Sequence, residues 1–256
     1  MPDYYESDRG VAEYLLFHFG STAQTFDFDE FRFPEFTRYP VRCIEQCFDP
    51  ERLIARDGHP SRALDLGCAV GASTFELARF HDEVLGIDYS HAFVDGARKM
   101  AELGSLCFRI PLEGMQSREI EVTLPENIDV SRVRFTQGDA TQLPDDLGKF
   151  DTVFAGNLID RVPDPGAFLE SLSRLTNPGA QVIITSPYTW LEEYTPREKW
   201  LQSEDRDTFA SIQAILEPEF ACSTQLNIPF ILREHRRKFQ LTLAHASTWV
   251  KVSSGN

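Results

Sequence analysis

The spacing of apolar residues changes twice along the chain, and each change marks a different kind of structure. From Tyr4 to Phe19 the apolar positions Tyr4, Tyr5, Val11, Tyr14, Leu15 and Phe19 follow a helical spacing with an aromatic lead-in. Phe26 to Phe36 sets five phenylalanines among charges. Alternation there permits a strand, but Pro34 and the acidic density favour an ordered aromatic loop or lid. Pro40 then opens a helix running to about Cys47. From Arg62 the pattern becomes short apolar runs separated by helical segments, which is the signature of βαβ units. Strands are predicted at Ala63 to Leu66, Glu83 to Ile87, Val133 to Gln137, Phe150 to Ala155 and Gln181 to Thr185. Helices are predicted at Ser73 to Phe80, Ala92 to Leu103, Gly166 to Leu175 and Asp207 to Leu216. Leu106, Phe108 and Ile110 alternate with polar or small neighbours, as do Ile120, Val122 and Leu124, so a β-hairpin turning at Glu113-Gly114 is inserted there. Two extended runs, Leu226 to Arg233 and Phe239 to Val250, close the chain as a second hairpin. Placed after five parallel strands, it makes the last strand antiparallel.

The chain of 256 residues, 42% hydrophobic, supports one α/β core and not two large ones. The expected organisation is a helical, aromatic cap over 1–60 and a main domain over 61–256, with the hairpin at about 105–125, as a single structural unit. With 40 acidic against 25 basic residues the net charge is -15, which repels a phosphate backbone and argues against a nucleic-acid partner. The one basic run, Arg233 to Lys238, is broken by Glu234 and reads as a charged turn. Five cysteines without a paired spacing indicate reduced thiols. Cys43 and Cys47, one helical turn apart, lack the second pair that a metal site would need, so no metal is expected. The start Met1-Pro2-Asp3-Tyr4 has no signal-peptide character, and no apolar stretch nears the ~18 residues of a membrane span. A soluble, cytoplasmic protein away from membranes is expected.

Candidate chemistry begins at Ala63-Leu64-Asp65-Leu66-Gly67-Cys68-Ala69-Val70-Gly71. A strand ending near Asp65 and followed by Gly67-x-x-x-Gly71 puts a tight turn at the head of a helix. Ligands of such sheets bind beyond the carboxyl ends of the strands, where glycines let them approach the backbone. The dinucleotide fingerprint G-x-G-x-x-G fails, because Ala69 and Ala72 stand at its second and third glycines. Asp88, followed by Tyr89, ends the second strand, where a carboxylate can accept from both ribose hydroxyls. Gly138-Asp139-Ala140 ends the third strand, placed to meet an adenine amino group, and Asn157-Leu158-Ile159-Asp160 follows the fourth. Singly, each acid is equally a helix cap or turn residue. Four at four successive strand ends describe one site.

This ordering resembles the class I S-adenosylmethionine methyltransferases over roughly Arg62 to Val250. The resemblance implies an α/β Rossmann-like fold with a seven-stranded, mostly parallel sheet and an antiparallel last strand. It implies S-adenosylmethionine as cofactor and S-adenosylhomocysteine as product, held by Asp65, Gly67, Cys68, Gly71, Asp88, Tyr89, Asp139, Ala140, Asn157 and Leu158. Ala69 departs from the glycine many members carry there. A narrower resemblance lies in Tyr4-Tyr5-Glu6-Ser7-Asp8, Gly156-Asn157-Leu158-Ile159-Asp160-Arg161, Ser186-Pro187-Tyr188-Thr189-Trp190-Leu191-Glu192-Glu193-Tyr194-Thr195-Pro196-Arg197 and Pro229-Phe230-Ile231-Leu232-Arg233-Glu234. These runs are similar to the 5-mercaptohistidine N-methyltransferases of ovothiol biosynthesis. In that family the module is the C-terminal domain of a sulfoxide synthase or stands alone. The expectation is a stand-alone enzyme, monomer or homodimer, linked functionally to a separate synthase.

A zwitterionic amino acid needs a cation for its carboxylate, an acceptor for its ammonium and flat walls for its ring. Arg161, Arg197 and Arg233 are candidates for the first, and Asp160, Glu192 and Glu193 for the second, although the two glutamates equally suit a helix cap. Tyr4, Tyr5, Tyr188 and Trp190 are candidate walls, with core packing as the alternative for each. Asn157 faces the transfer, and Asp160 or His18 receives or orients the ring proton. The segment from Tyr4 to Phe36 is a candidate lid. Transfer to another small molecule, or S-adenosylmethionine binding without catalysis, remain open alternatives.

Overall fold

A computed structural model of the chain describes residues 3–54 and 58–252, so residues 1–2, 55–57 and 253–256 of the expected cap and main domain lie outside the described residues. The predicted strands appear as β1 (Arg62–Leu66), β2 (Glu83–Asp88), β3 (Ser105–Pro111), β4 (Ser117–Thr123), β5 (Val133–Gln137), β6 (Phe150–Gly156), β7 (Thr176–Ser186), β8 (Phe220–His235) and β9 (Lys238–Lys251). Seven of them form one sheet in the order β5-β2-β1-β6-β7-β9-β8, and β3 pairs with β4 apart from it. The pairings among β5, β2, β1, β6 and β7 are parallel, and β9 runs antiparallel between β7 and β8. The order reverses at β1, so the crevice at its carboxyl end is where a ligand would lie.

Both faces of the central strands are covered, which is why β6 and the second half of β7 are buried at nearly every position. Leu64, Leu66, Val153, Ala155, Val182 and Ile184 face α6 (Pro165–Leu175) and α7 (Thr208–Leu216), with Trp249 of β9 fully buried in the same layer. Ala63, Phe154 and Ile183 point the other way, toward α3 (Tyr39–Cys47) and the end of α4 (Ala72–Leu77). Beside them α5 (His91–Leu103) packs Phe93, Val94, Ala97 and Met100 on Phe75 and Phe135. Ser90, Asp164 and Asp207 cap α5, α6 and α7 by accepting from Phe93, Ala167 and Ala210 N–H groups.

The helix predicted from Tyr4 to Phe19 is two pieces. Asp3–Glu6 is a 3-10 turn, and α1 (Asp8–Phe19) starts anew at Ser7, whose Oγ accepts from Gly10 N–H at 3.1 Å. The chain doubles back so closely that a Cβ on Gly10 would stand 2.2 Å from the Tyr4 carbonyl oxygen. After α2 (Thr22–Thr25), the phenylalanine-rich stretch is a loop with a single 3-10 turn at Pro34–Phe36. Phe26, Phe31 and Phe33 pack on one another, and Phe26 and Phe31 also pack against Phe239.

The inserted hairpin turns through residues 112–116, with Gly114 at φ +56°. It supports the cap: Leu16 of α1 packs on Ile110 and Ile120, and Gln24 Nε2 donates to Glu121 O at 2.6 Å. A second tie is ionic. Asp27 receives Arg233 at 2.8 Å and Arg118 at 2.9 Å, and Arg236 stands 3.8 Å away. Arg236 and Arg237 of the β8–β9 turn also lie over the Phe28 ring. Arg233, a sequence candidate for substrate, is therefore a buried structural cation that also donates to Gln24 O and Thr25 O. Among the described residues no helix is long and apolar enough to cross a membrane.

Candidate active site

Gly67 and Cys68, immediately after β1, both donate to Ile87 O, at 2.8 and 3.1 Å, so the turn begins by folding onto β2. Positive φ angles at Gly67 (+74°), Ala69 (+47°) and Gly71 (+93°) then carry the chain into α4. A Cβ at Gly67 would come within 3.2 Å of Leu158, and one at Gly71 within 2.7 Å of the Phe135 ring. These two glycines keep the turn thin. Ala69 adopts a left-handed conformation that glycine takes more readily, which locates the strain of its departure from the common pattern.

Asp65 lies behind this turn, with no exposed surface, accepting from Ser73 Oγ at 2.7 Å and Thr74 Oγ1 at 2.6 Å. Burial pushes its carboxyl up to about 6. It shapes the turn from beneath and does not line the cleft. Asp88 does. Its two oxygens accept separately from Ala69 N–H at 2.8 Å and Ser90 N–H at 2.9 Å. Burial pushes Asp88 to about 6 as well, and the Glu6 charge adds to the rise, while those two N–H groups oppose it.

The cleft encloses about 270 Å3 between the turn, the carboxyl ends of β2 and β6, and the N-terminal segment. Asn157 stands at its β6 end in the left-handed region (φ +52°), its Oδ1 accepting from Tyr39 OH at 2.8 Å and Thr185 Oγ1 at 3.3 Å. Its amide nitrogen has no partner among the described residues. Arg161 lines the same end. One of its terminal nitrogens bonds Asp160 O and Thr189 O, both at 2.8 Å, and the guanidinium lies over the Tyr194 ring. The other N–H groups of Arg161 have no protein partner among the described residues.

Asp160, a candidate proton acceptor in the sequence, has no exposed surface and does not line the cleft. Its Oδ2 accepts from Thr189 N–H at 2.9 Å and pairs with Arg161 at 3.1 Å. Burial raises its carboxyl, with Arg161 pulling the other way. It lies beneath Arg161 and pairs with its guanidinium. His18 lines the cleft; its Nδ1 accepts from Ala72 N–H at 3.3 Å, and burial pushes the ring down to about 3, so it stays neutral.

Of the candidate walls, Tyr5 reaches the cleft, packed edge-on to Tyr14 and Phe93. Tyr4 is turned outward, its hydroxyl raised by burial and by a bond to Glu13. The segment after β7 alternates: Pro187 and Thr189 face the cleft, while Tyr188 and Trp190 point into a separate surface depression. Tyr188 OH bonds His245 Nδ1 at 2.7 Å, and Trp190 stacks on Trp200. Arg197 is exposed and lies over Trp200, away from the cleft. Glu192 and Glu193 are exposed and do not line it either. Cys68 is buried in the turn, Gly71 sits behind it, and Tyr89, Asp139 and Ala140 follow β2 and β5 outside the cleft lining. Asp139 accepts from Thr141 N–H and Oγ1, at 2.8 and 2.7 Å, in a local turn.

The sequence reading missed the aromatic floor, where Phe17 stacks on Tyr39 at 5.8 Å and Phe230 sits 4.4 Å from Tyr39. Phe230 and Tyr194 stood inside the runs that carried the narrower resemblance, and that was their only signal. Tyr39 had none, because its partners Asn157 and Thr185 are 118 and 146 residues away.

Residues 64–184, just under half of the chain, match the family model described as a methyltransferase domain. A probable chloroplastic tocopherol O-methyltransferase of Oryza sativa subsp. japonica is 26% identical over 57% of this chain and 34% of its own length. The ajmaline N-methyltransferase of Rauvolfia serpentina is 26% identical over 70% of this chain and 54% of its own. The chain thus spans about a third to a half of the length of these curated relatives. Among solved structures, the complex between the Haloferax volcanii Trm112 methyltransferase activator and the putative methyltransferase aligns at TM-score 0.54 and 16% identity, covering 85% of this chain and 90% of that one. A Methanosarcina mazei S-adenosylmethionine-dependent methyltransferase aligns at 0.52 and 17%, covering 79% and 96%. The fold is the class I methyltransferase fold with a hairpin insert.

Proposed function

We propose that this chain, which carries a methyltransferase domain over residues 64–184, transfers the methyl group of S-adenosylmethionine to an imidazole nitrogen of 5-mercaptohistidine. The fold and the Asp88 carboxylate on its thin glycine turn suit the cofactor: Asp88 takes the ribose hydroxyls, and Gly67 to Gly71 give the tail room. The cofactor supplies an activated methyl on its sulfonium. The protein has to align a ring nitrogen in line with that methyl and exclude water. Asn157 and Tyr39 mark the place of alignment. Phe17, Tyr39 and Phe230 provide flat, dry walls.

The observation that carries the acceptor class is Arg161, the one of three candidate arginines that lines the cleft, with guanidinium N–H groups unspent. Held by Asp160 and by the Thr189 carbonyl, it is preset for a carboxylate. The choice of a thiolated imidazole rests on the resemblance of the flanking runs. The two plant relatives are named for oxygen and nitrogen acceptors respectively, so kinship alone does not choose the atom. The cleft of about 270 Å3 lies near the lower end of the roughly 300–1,000 Å3 of small-ligand sites.

Labelled S-adenosylmethionine with a panel of acceptors tests this reading. Transfer to 5-mercaptohistidine and none to histidine or a simple phenol is expected. Arg161→Ala should raise the acceptor KM by about tenfold or more, the worth of a charge-assisted hydrogen bond, while S-adenosylhomocysteine affinity holds. Methylation of a phenol instead, or an acceptor KM indifferent to Arg161, would remove the amino-acid reading.

A further inference from the structure

One polar group in the cleft is not used by this methyl transfer, the outward nitrogen of His18. The imidazole stands on α1, with Tyr14, Phe17 and Phe19 5.9, 5.5 and 6.2 Å away, and is 4% exposed. Because Nδ1 accepts from Ala72 N–H, the ring proton resides on Nε2. Nε2 has no protein partner among the described residues, although the ring lines the cleft. Burial holds the ring neutral, so it offers the cleft a fixed, uncharged N–H that cannot take up a proton near neutrality.

The strand order says what passes this donor. In the sequence β2-β1-β6 the Gly67 to Gly71 turn lies between Asp88, after β2, and Asn157, after β6. A cofactor with its ribose at Asp88 and its methyl toward Asn157 therefore has its amino-acid tail over the turn, where Ala72 anchors His18. That tail ends in one ammonium and one carboxylate. A group that only donates cannot serve the ammonium. We infer that His18 Nε2–H hydrogen-bonds the carboxylate of the S-adenosylmethionine tail. His18 belongs to the cap, so each bound cofactor also pins α1 against the turn. This assignment rests on the cofactor part of the proposed function and is independent of the acceptor.

The test is calorimetric titration of S-adenosylhomocysteine and of its decarboxylated analogue into wild type, His18→Asn and His18→Gln. Asparagine sets an amide oxygen where Nδ1 was, keeping the Ala72 bond and losing the donor. Glutamine sets an amide N–H where Nε2 was. Wild type should favour S-adenosylhomocysteine over the analogue by about tenfold or more, as a hydrogen bond to a charged group is worth. His18→Asn should lose that preference by weakening S-adenosylhomocysteine alone, and His18→Gln should restore most of it. A purely structural His18 would give the reverse order, with glutamine the worse substitute and both ligands weakened alike, and that result overturns the inference. Equal preference in wild type and His18→Asn overturns it too. If folded wild type binds neither ligand, the cofactor reading itself has failed.

Discussion

Asp88→Asn is expected to weaken S-adenosylhomocysteine binding by at least about a hundredfold, since two charge-assisted hydrogen bonds to a ribose contribute about 1.5 kcal/mol or more each. The change costs more than a charge. Each Asp88 oxygen already accepts one backbone N–H, from Ala69 or from Ser90, so an amide nitrogen would point a donor at a donor. Acid should mimic the substitution in wild type. With the carboxyl raised to about 6, affinity should be flat above pH 7 and fall toward tenfold per pH unit below about 6, as the proton competes with the hydroxyls. The same shift has a stability consequence of opposite sign. A carboxyl that holds its proton more tightly when folded makes the free protein less stable as pH rises from about 4 to about 6, because the unfolded chain ionises first. Titrations of S-adenosylhomocysteine into wild type and Asp88→Asn between pH 5 and 8 check this. Tight, pH-dependent binding retained by Asp88→Asn would take Asp88 out of the ribose site.

Asp27→Ala should destabilise the protein by about 3–5 kcal/mol, because removing one partner from a buried ion pair strands the other. Here the stranded partner is Arg233, fully enclosed, whereas Arg118 and Arg236 reach solvent. For a chain of this size the loss corresponds to a melting temperature lower by roughly ten degrees. Burial alone would raise the Asp27 carboxyl, but the bond and charge of Arg233, then the charges of Arg118 and Arg236, outweigh it and hold the group low. Its contribution is therefore complete above about pH 4 and lost only as pH falls through the depressed folded value. Thermal melts of wild type and variant should converge in acid and separate at neutrality. The variant should also bind the cofactor more weakly, since Asp27 ties down the cap that carries His18, Tyr14 and Tyr39. A melting temperature within two degrees of wild type would show that the arginines find other anions.

The fold was largely legible because the central parallel strands β1, β2 and β6 are short, mostly apolar runs that end at or next to a glycine or an acid. Leu64 and Leu66 against Ala63, or Val153 and Ala155 against Phe154, show why no alternation was visible: both faces are covered. The break at Ser7 was less legible, since Ser7 has the composition of a cap but lies inside an otherwise helical spacing. Local backbone was readable in the sequence. Gly67 and Gly71 take positive φ, and Asp88 ends its strand.

Residues whose role depends on which way a loop faces were not readable. Tyr188 and Thr189 are adjacent in sequence, yet only Thr189 faces the cleft, because Tyr188 at φ +54° turns its ring toward His245. Nor could three similar arginines be ranked. Arg161 is held open beside Tyr194, Arg197 lies over Trp200, and Arg233 is spent on Asp27. The sheet, the thin turn after β1 and the carboxylate opposite it are written in the chain locally, since hydrophobic period and glycine conformation depend on neighbouring residues. Long-range packing sets which cation meets the cleft, places Asp160 beneath Arg161, and turns the Nδ1 of His18 to the Ala72 N–H. Those outcomes depend on partners brought together from distant positions, and a side chain's free hydrogen bonds are whatever those partners leave.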